Sequence, residues 1–243
     1  MIALLRYQAA ILLRSHRWIF PLIAYGLLVV TVAAEGSTPL AEGLDWNAAM
    51  LVPIVAFLTR SMLTAEPDAA RACVAAAAGP VRAQLAALLT AAGAGAVLAI
   101  AGECFGVLLS GPAVTQIPPP GGELNKITSA AGHPQILVAG LITAAVCVLV
   151  GSAVGALCNP PLLRHPGAAM LATLALGVFA LASDVSPASA ALWRRDTTQA
   201  VSPVAVHWPG NAPLLAAACL LAVTWTASTY AAARRENRSP GAT

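Results

Sequence analysis

Six runs of this chain are long and apolar enough to cross a lipid bilayer, and no soluble fold accommodates that many. They are Trp18–Ala34, Trp46–Thr64, Val81–Ser110, Gln135–Leu157, Gly167–Ser183 and Pro213–Ala233. A spanning helix needs about 20 mostly apolar residues and tolerates about 17 to 25. The first and fifth runs, at 17 residues each, sit at the lower limit, and the third, at 30, has length to tilt or to project. Only 9% of the 243 residues are charged and 58% are hydrophobic, against roughly 25% charged in a soluble domain. Lipid must be the main solvent of such a surface. The expected fold is an all-α integral membrane protein with six transmembrane helices in a single domain over 1–243.

The charges orient it. With the N-terminus inside, ten of the thirteen Lys and Arg fall on the inner side: Arg6, Arg14, Arg17, Arg60, Arg71, Arg82, Arg164, Arg234, Arg235 and Arg238. Lys126, Arg194 and Arg195 fall outside. Orientation follows the Lys/Arg bias, so both termini are expected inside. Val32-Ala33-Ala34 has the look of a signal-peptidase site, but the apolar run before it is too long for a signal peptide, which favours retention as a span. On this topology none of the five Cys lies in an outer loop, so disulfides are not expected. The four His fall in separate loops without ligand spacing, which argues against a metal site. No basic face of useful size exists, which argues against a nucleic-acid partner.

One charged segment interrupts the apolar runs: TRSMLTAEPDAARACVAAAAGPVRAQL, residues 59–85. Its middle reads as a helix over 66–78, about 18 Å long at 1.5 Å per residue and too short to span. Pro67 suits the first helical turn, and Glu66 and Asp68 lie at the positive end of the helix dipole. Asp68 and Arg71 are spaced to pair. Gly79-Pro80 stops the helix. A second helix that does not span is expected at the N-terminus, IALLRYQAAILLRSHR over 2–17. There Arg6, Arg14 and Arg17 gather on one side and Leu4, Leu5, Ile11 and Leu12 on the other, with Ile2 and Leu13 out of place. The pattern fits an amphipathic helix in the inner interface before the chain enters the membrane at Trp18; a plain extension of the first span is the alternative.

Glu103 is the only acidic residue inside a span. A charge at mid-bilayer costs about 3 kcal/mol on insertion scales, so it is a candidate intramembrane polar site, either protonated, paired, or snorkelling outward. Gly102 and Gly106, and Gly151 and Gly155, form G-x-x-x-G pairs suited to close helix packing within a bundle or at a dimer seam. Two outer loops are long. Residues 111–134 carry Pro118 to Gly122, a stiff turn. Residues 184–210 carry a short helical stretch, Pro187–Arg194, with Trp193 and Trp208 suited to the outer interface; the loop either lies on or dips into the outer leaflet, or is an ordinary exposed loop.

A nucleotide-binding P-loop requires a Lys, and the sole Lys126 stands in GGELNK outside. Neither H-E-x-x-H nor G-x-S-x-G occurs. Any energy source must be an ion gradient or a separate chain. The layout resembles the membrane subunit of ABC-type exporters, the type-two ABC permease family, with loop phrasing like that of actinobacterial members. The resemblance covers 2–17 as the interfacial helix, the six spans, 66–78 as a coupling helix and 184–210 as the outer segment between spans five and six. It implies a bacterial plasma-membrane, multi-pass permease that is not itself an enzyme. It would bind no cofactor of its own and pair with a cytoplasmic ATPase chain that holds ATP and Mg. A second permease copy or a sibling permease would complete the transporter. The docking role would fall on Glu66, Pro67, Asp68, Arg71 and Val74. The rival reading is a proton-coupled secondary transporter using Glu103; a membrane enzyme or passive anchor has no catalytic constellation to support it.

Overall fold

The computed structural model describes residues 1–16, 18–34, 40–109, 133–158, 166–183, 186–192 and 211–237. Among these residues every regular element is helical. In chain order they are α1 (Ile2–Arg14), α2 (Ile19–Ala34), α3 (Leu40–Leu63), α4 (Asp68–Ala78) and α5 (Pro80–Leu109). There follow α6 (His133–Leu157), α7 (Pro166–Ala182), α8 (Pro187–Leu192) and α9 (Asn211–Asn237). Helix is the only open-ended element that can bury a backbone in lipid, because it satisfies its own N–H and C=O groups.

Among the described residues four helices are long and apolar enough to cross a membrane: Gly43–Leu63, Pro80–Leu108, Leu137–Leu157 and Asn211–Ala231. A fifth is reached if α1 and α2, which meet at 73°, are taken as one bent span. The apolar part of α7, Gly167–Ala182, is shorter than these. The chain is therefore a multi-pass membrane protein, with four to five such candidate helices among the described residues by length and composition. Five of the six expected runs both start and end within a few residues of an observed helix; α3 ends as expected but begins six residues earlier, at Leu40 rather than Trp46.

The hub is α3. It packs on α6, α5, α2, α7 and α8, and α9 closes the bundle against α5 and α6. Val52, Val55, Ala56 and Leu58 of α3 are fully or almost fully buried, together with Val146, Cys147, Val150 and Val154 of α6. Two glycines let these helices touch. A Cβ at Gly151 would stand 2.7 Å from the Val52 carbonyl oxygen, and one at Gly155 would stand 2.5 Å from that of Ala56. The second G-x-x-x-G does the same for α5: a Cβ on Gly102 would overlap the Tyr25 hydroxyl, and one on Gly106 would lie 2.6 Å from Asn47 Nδ2. Both motifs are thus spent on seams inside one chain.

Several hydroxyl side chains along these helices are satisfied locally, although the buried Thr59 Oγ1 of α3 has no hydrogen-bond partner among the described residues. Thr90 Oγ1 donates to Ala86 O at 2.8 Å, Ser152 Oγ to Leu149 O at 2.9 Å and Thr173 Oγ1 to Ala169 O at 2.7 Å. Bonding back one turn is how Ser and Thr remain affordable in lipid. Helix α8 is tucked between α6, α7 and α9, with Ala188, Ser189, Ala191 and Leu192 buried. Burial of these residues sets aside the exposed loop for Pro187–Leu192, and 193–210 lie outside the described residues. Ser189 Oγ donates to the carbonyls of Ser183 (2.5 Å) and Ser186 (2.8 Å), tying α8 to the residue that follows α7. Arg17, Trp193, Trp208 and the stretch from Pro118 to Gly122 lie outside the described residues.

Candidate functional site

Two places hold the residues singled out from the sequence. The first is the end of the bundle carrying α1 and α4. Helix α4 begins at Asp68, two residues later than the 66–78 of the sequence reading. Pro67 stands ahead of the first turn, with φ −59° and ψ 145°, and its carbonyl accepts the first helical bond from Arg71 N at 2.9 Å. The fixed proline φ suits an extended entry as readily as a first turn, and here the extended entry wins. Gly79 ends the helix at φ 88°, ψ 144°, a conformation open essentially to glycine alone, and its N–H bonds Ala75 O at 2.8 Å. Pro80 does not merely stop α4; it opens α5, where its missing N–H costs nothing.

Arg71 makes a contact that the sequence did not suggest. Its guanidinium turns back to donate to the Leu63 carbonyl, one of the orphan acceptors at the C-terminal end of α3. That bond staples α4 to the helix before it. The side chain of Asp68 lies outside the described residues. Helix α4 rests on α5, burying Ala75 and half-burying Val74, while Ala72, Cys73, Ala76 and Ala77 are exposed.

Glu66 is held by the N-terminal helix. Tyr7 Oη donates to Glu66 Oε1 at 3.0 Å, and Gln8 Nε2 donates to Oε2 at 3.5 Å. Partial burial raises the Tyr7 phenol above its ordinary value, and its hydrogen bond to the Glu66 carboxylate adds to the effect. Sequence reasoning missed this contact. A signal was available: Gln8 lies one turn from both Leu4 and Ile11–Leu12, on the face expected to be apolar, and is 1% exposed in the structure. Leu4, Leu5, Ile11 and Leu12 are half-buried and Arg6 and Arg14 exposed, as the amphipathic pattern requires. The helix packs on α5 and ends at a turn in which His16 takes φ 54°. Trp18 Nε1 reaches back to Leu13 O at 3.3 Å across that turn.

The second place surrounds Glu103, on the seam of α5 with α3 and α6. It is 1% exposed, which removes the snorkelling alternative. Neither carboxyl oxygen has a hydrogen-bond partner among the described residues, and the buried Asn47 Oδ1 is likewise unpartnered. Gly140 of α6 makes room for it: a Cβ there would stand 2.9 Å from Glu103 Oε2. Tyr25 of α2 lies nearby and directs its hydroxyl to the Asn47 carbonyl at 3.5 Å. Among the described residues no three His, Cys, Asp or Glu side chains come together to hold a metal ion. All five cysteines are free thiols, Cys147 and Cys158 buried and the others exposed.

No protein-family model matches the chain, and neither the curated proteins nor the solved structures contain a match.

Proposed function

We propose that the chain is the transmembrane subunit of an ABC-type transporter, an exporter by its layout. Six helices would cross the membrane, both termini would lie in the cytoplasm, and a separate ATPase chain would hydrolyse ATP. The observation that carries this reading is α4: an 11-residue helix between two long apolar helices, stapled to α3 through Arg71 and resting on α5, with its outer Ala-rich face uncovered. A smooth small-residue face lets another protein's groove approach closely. The rigid junctions at Leu63 and Gly79 would pass a push on α4 directly to α3 and α5. Glu66, held by α1, would join the interfacial helix to the same lever. The sixth span would be α7, whose 17 residues reach across only with its flanks.

Co-purification with a soluble ATPase is the expected result, and reversing charge at Glu66 and Asp68 should uncouple hydrolysis from transport. If removal of 66–78 leaves assembly with the ATPase intact, the reading fails. A second reading, a proton-coupled carrier, draws on the burial of Glu103 without a hydrogen-bond partner. Proton-dependent flux with no ATPase present, abolished in Glu103→Gln, would favour it.

A further inference from the structure

Three buried acceptors on the seam of α3 and α5 have no donor among the described residues: both carboxyl oxygens of Glu103 and Oδ1 of Asn47. The two side chains are 1% and 3% exposed. Both meet one face of α5. Glu103 and Gly106 are three residues apart, which sets their Cβ positions about 5–6 Å from each other on a helix. Asn47 lies over Gly106, where a Cβ would stand 2.6 Å from Nδ2, so the amide nitrogen faces the glycine and Oδ1 turns away from it. Tyr25 lies over Gly102 and directs its hydroxyl to the Asn47 carbonyl, not to Glu103. The titratable groups within electrostatic reach of Glu103 are Asp45 of α3, Tyr25 of α2 and Cys147 of α6, and none of them is a cation. Helices α1, α4 and α9 also pack on α5 but bring no charge to it among the described residues.

We propose that Glu103 and Asn47 form a proton-binding site, in which a neutral carboxylic acid donates its hydrogen bond to the amide oxygen. An ionised carboxyl only accepts, and so does an amide oxygen, so without a proton the seam holds three acceptors and no donor for them. One proton turns a carboxyl oxygen into a donor and satisfies Asn47 Oδ1 in the same step. Burying a neutral, hydrogen-bonded acid costs far less than burying an unpaired anion. Packing and ligand number disfavour a larger cation. A Cβ at Gly140 would stand 2.9 Å from Glu103 Oε2 and 3.4 Å from Leu44 Cδ1, so the carboxyl is pressed against α6 with a leucine beside it. A calcium ion takes about six to eight oxygen ligands, and the unpartnered acceptors here number three. A proton needs one oxygen and no room. The inference rests on the carrier reading's premise that Glu103 holds a proton; it adds the partner and does not require the proton to cross the membrane.

The test is infrared spectroscopy of the full chain at neutral pH in a maltoside detergent, which has no ester carbonyl to mask the signal. Wild-type protein should show the C=O stretch of a protonated carboxyl, Glu103→Gln should lose that band and Asp45→Asn should keep it. Carbon-13 in the glutamate carboxyls should lower the band's frequency in the wild type, and the same label in aspartate should not; this reading needs no variant to fold. Asn47→Leu should raise the frequency, because a carboxyl that loses its acceptor has a stiffer C=O. Asn47→Val repeats that measurement should the leucine variant not fold. Absence of the band from the wild type overturns the proposal. So does its loss in Asp45→Asn, a response to the aspartate label in place of the glutamate one, or a frequency that the Asn47 variants leave unmoved. None of these readouts involves flux. An unmoved frequency ends the pair and leaves the carrier reading standing, whereas band and shift together support the site even where flux proves independent of protons.

Discussion

At the scale of single residues, glycines of one type carry opposite predictions. Gly155 faces backbone: its Cβ would meet Ala56 O at 2.5 Å and Thr59 Cβ at 2.7 Å, neither of which can swing away. Gly155→Val should therefore lower stability by about 1–3 kcal/mol, the usual cost of forcing extra carbons into a packed core. Gly93 has no atom within 4 Å of the same construction, so Gly93→Ala should raise stability by roughly 0.8–1 kcal/mol through helix propensity. Thermal unfolding of the two variants in one detergent checks both. The Tyr7–Glu66 bond is exposed and worth about 1 kcal/mol or less. Because the folded phenol is raised above its ordinary value of 10.0, its contribution is complete below that pH and is lost as pH climbs through the folded value. An ultraviolet pH titration should show the Tyr7 component moving back toward 10 in Glu66→Gln; an unmoved titration refutes the contact.

The elements differ in what fixes them. Helices α3 and α6 owe their seam to small residues spaced four apart, and that spacing was readable. The ends of α4 owe their form to dihedral angles. Gly79 has open space for a methyl group but sits at φ 88°, where an L side chain is strained. Gly79→Ala should cost about 1–3 kcal/mol with no steric clash to relieve. The loss should appear as faster hydrogen exchange at Ala83, whose amide bonds Gly79 O at 3.1 Å, while the α3–α6 seam is unaffected. If exchange across α4 and α5 is unchanged, the junction is not the rigid joint described here. Helix α1 shows the limit of pattern reading. Its apolar stripe was evident, but a buried glutamine in the stripe has meaning only once Glu66 is seen across from it.

For the molecule as a whole, the orientation proposed from the Lys/Arg bias puts α4 in the cytoplasm. Cys73, exposed on α4, is a natural reporter. A membrane-impermeant maleimide should label it in inside-out vesicles and not in intact cells, with Cys73→Ser as the control. Labelling from the cell exterior would reverse the topology and remove the lever argument with it. The bundle's composition, its hub and its closing helix also set the standing of Glu103. Charge scarcity marked the residue but left three environments open; packing of α3, α5 and α6 chose a buried one.

The amino-acid sequence by itself determined that the chain lives in lipid and is helical, because apolar run length and charge scarcity act residue by residue and need no partner. It also located the short helix between two spans, through its proline, its alanines and Gly79. Tertiary structure alone decided that Arg71 serves a carbonyl of α3, that Glu66 belongs to α1, and that α8 lies within the bundle. Each of these depends on which helices become neighbours, and residues distant along the chain acquire their roles only when packing sets them side by side.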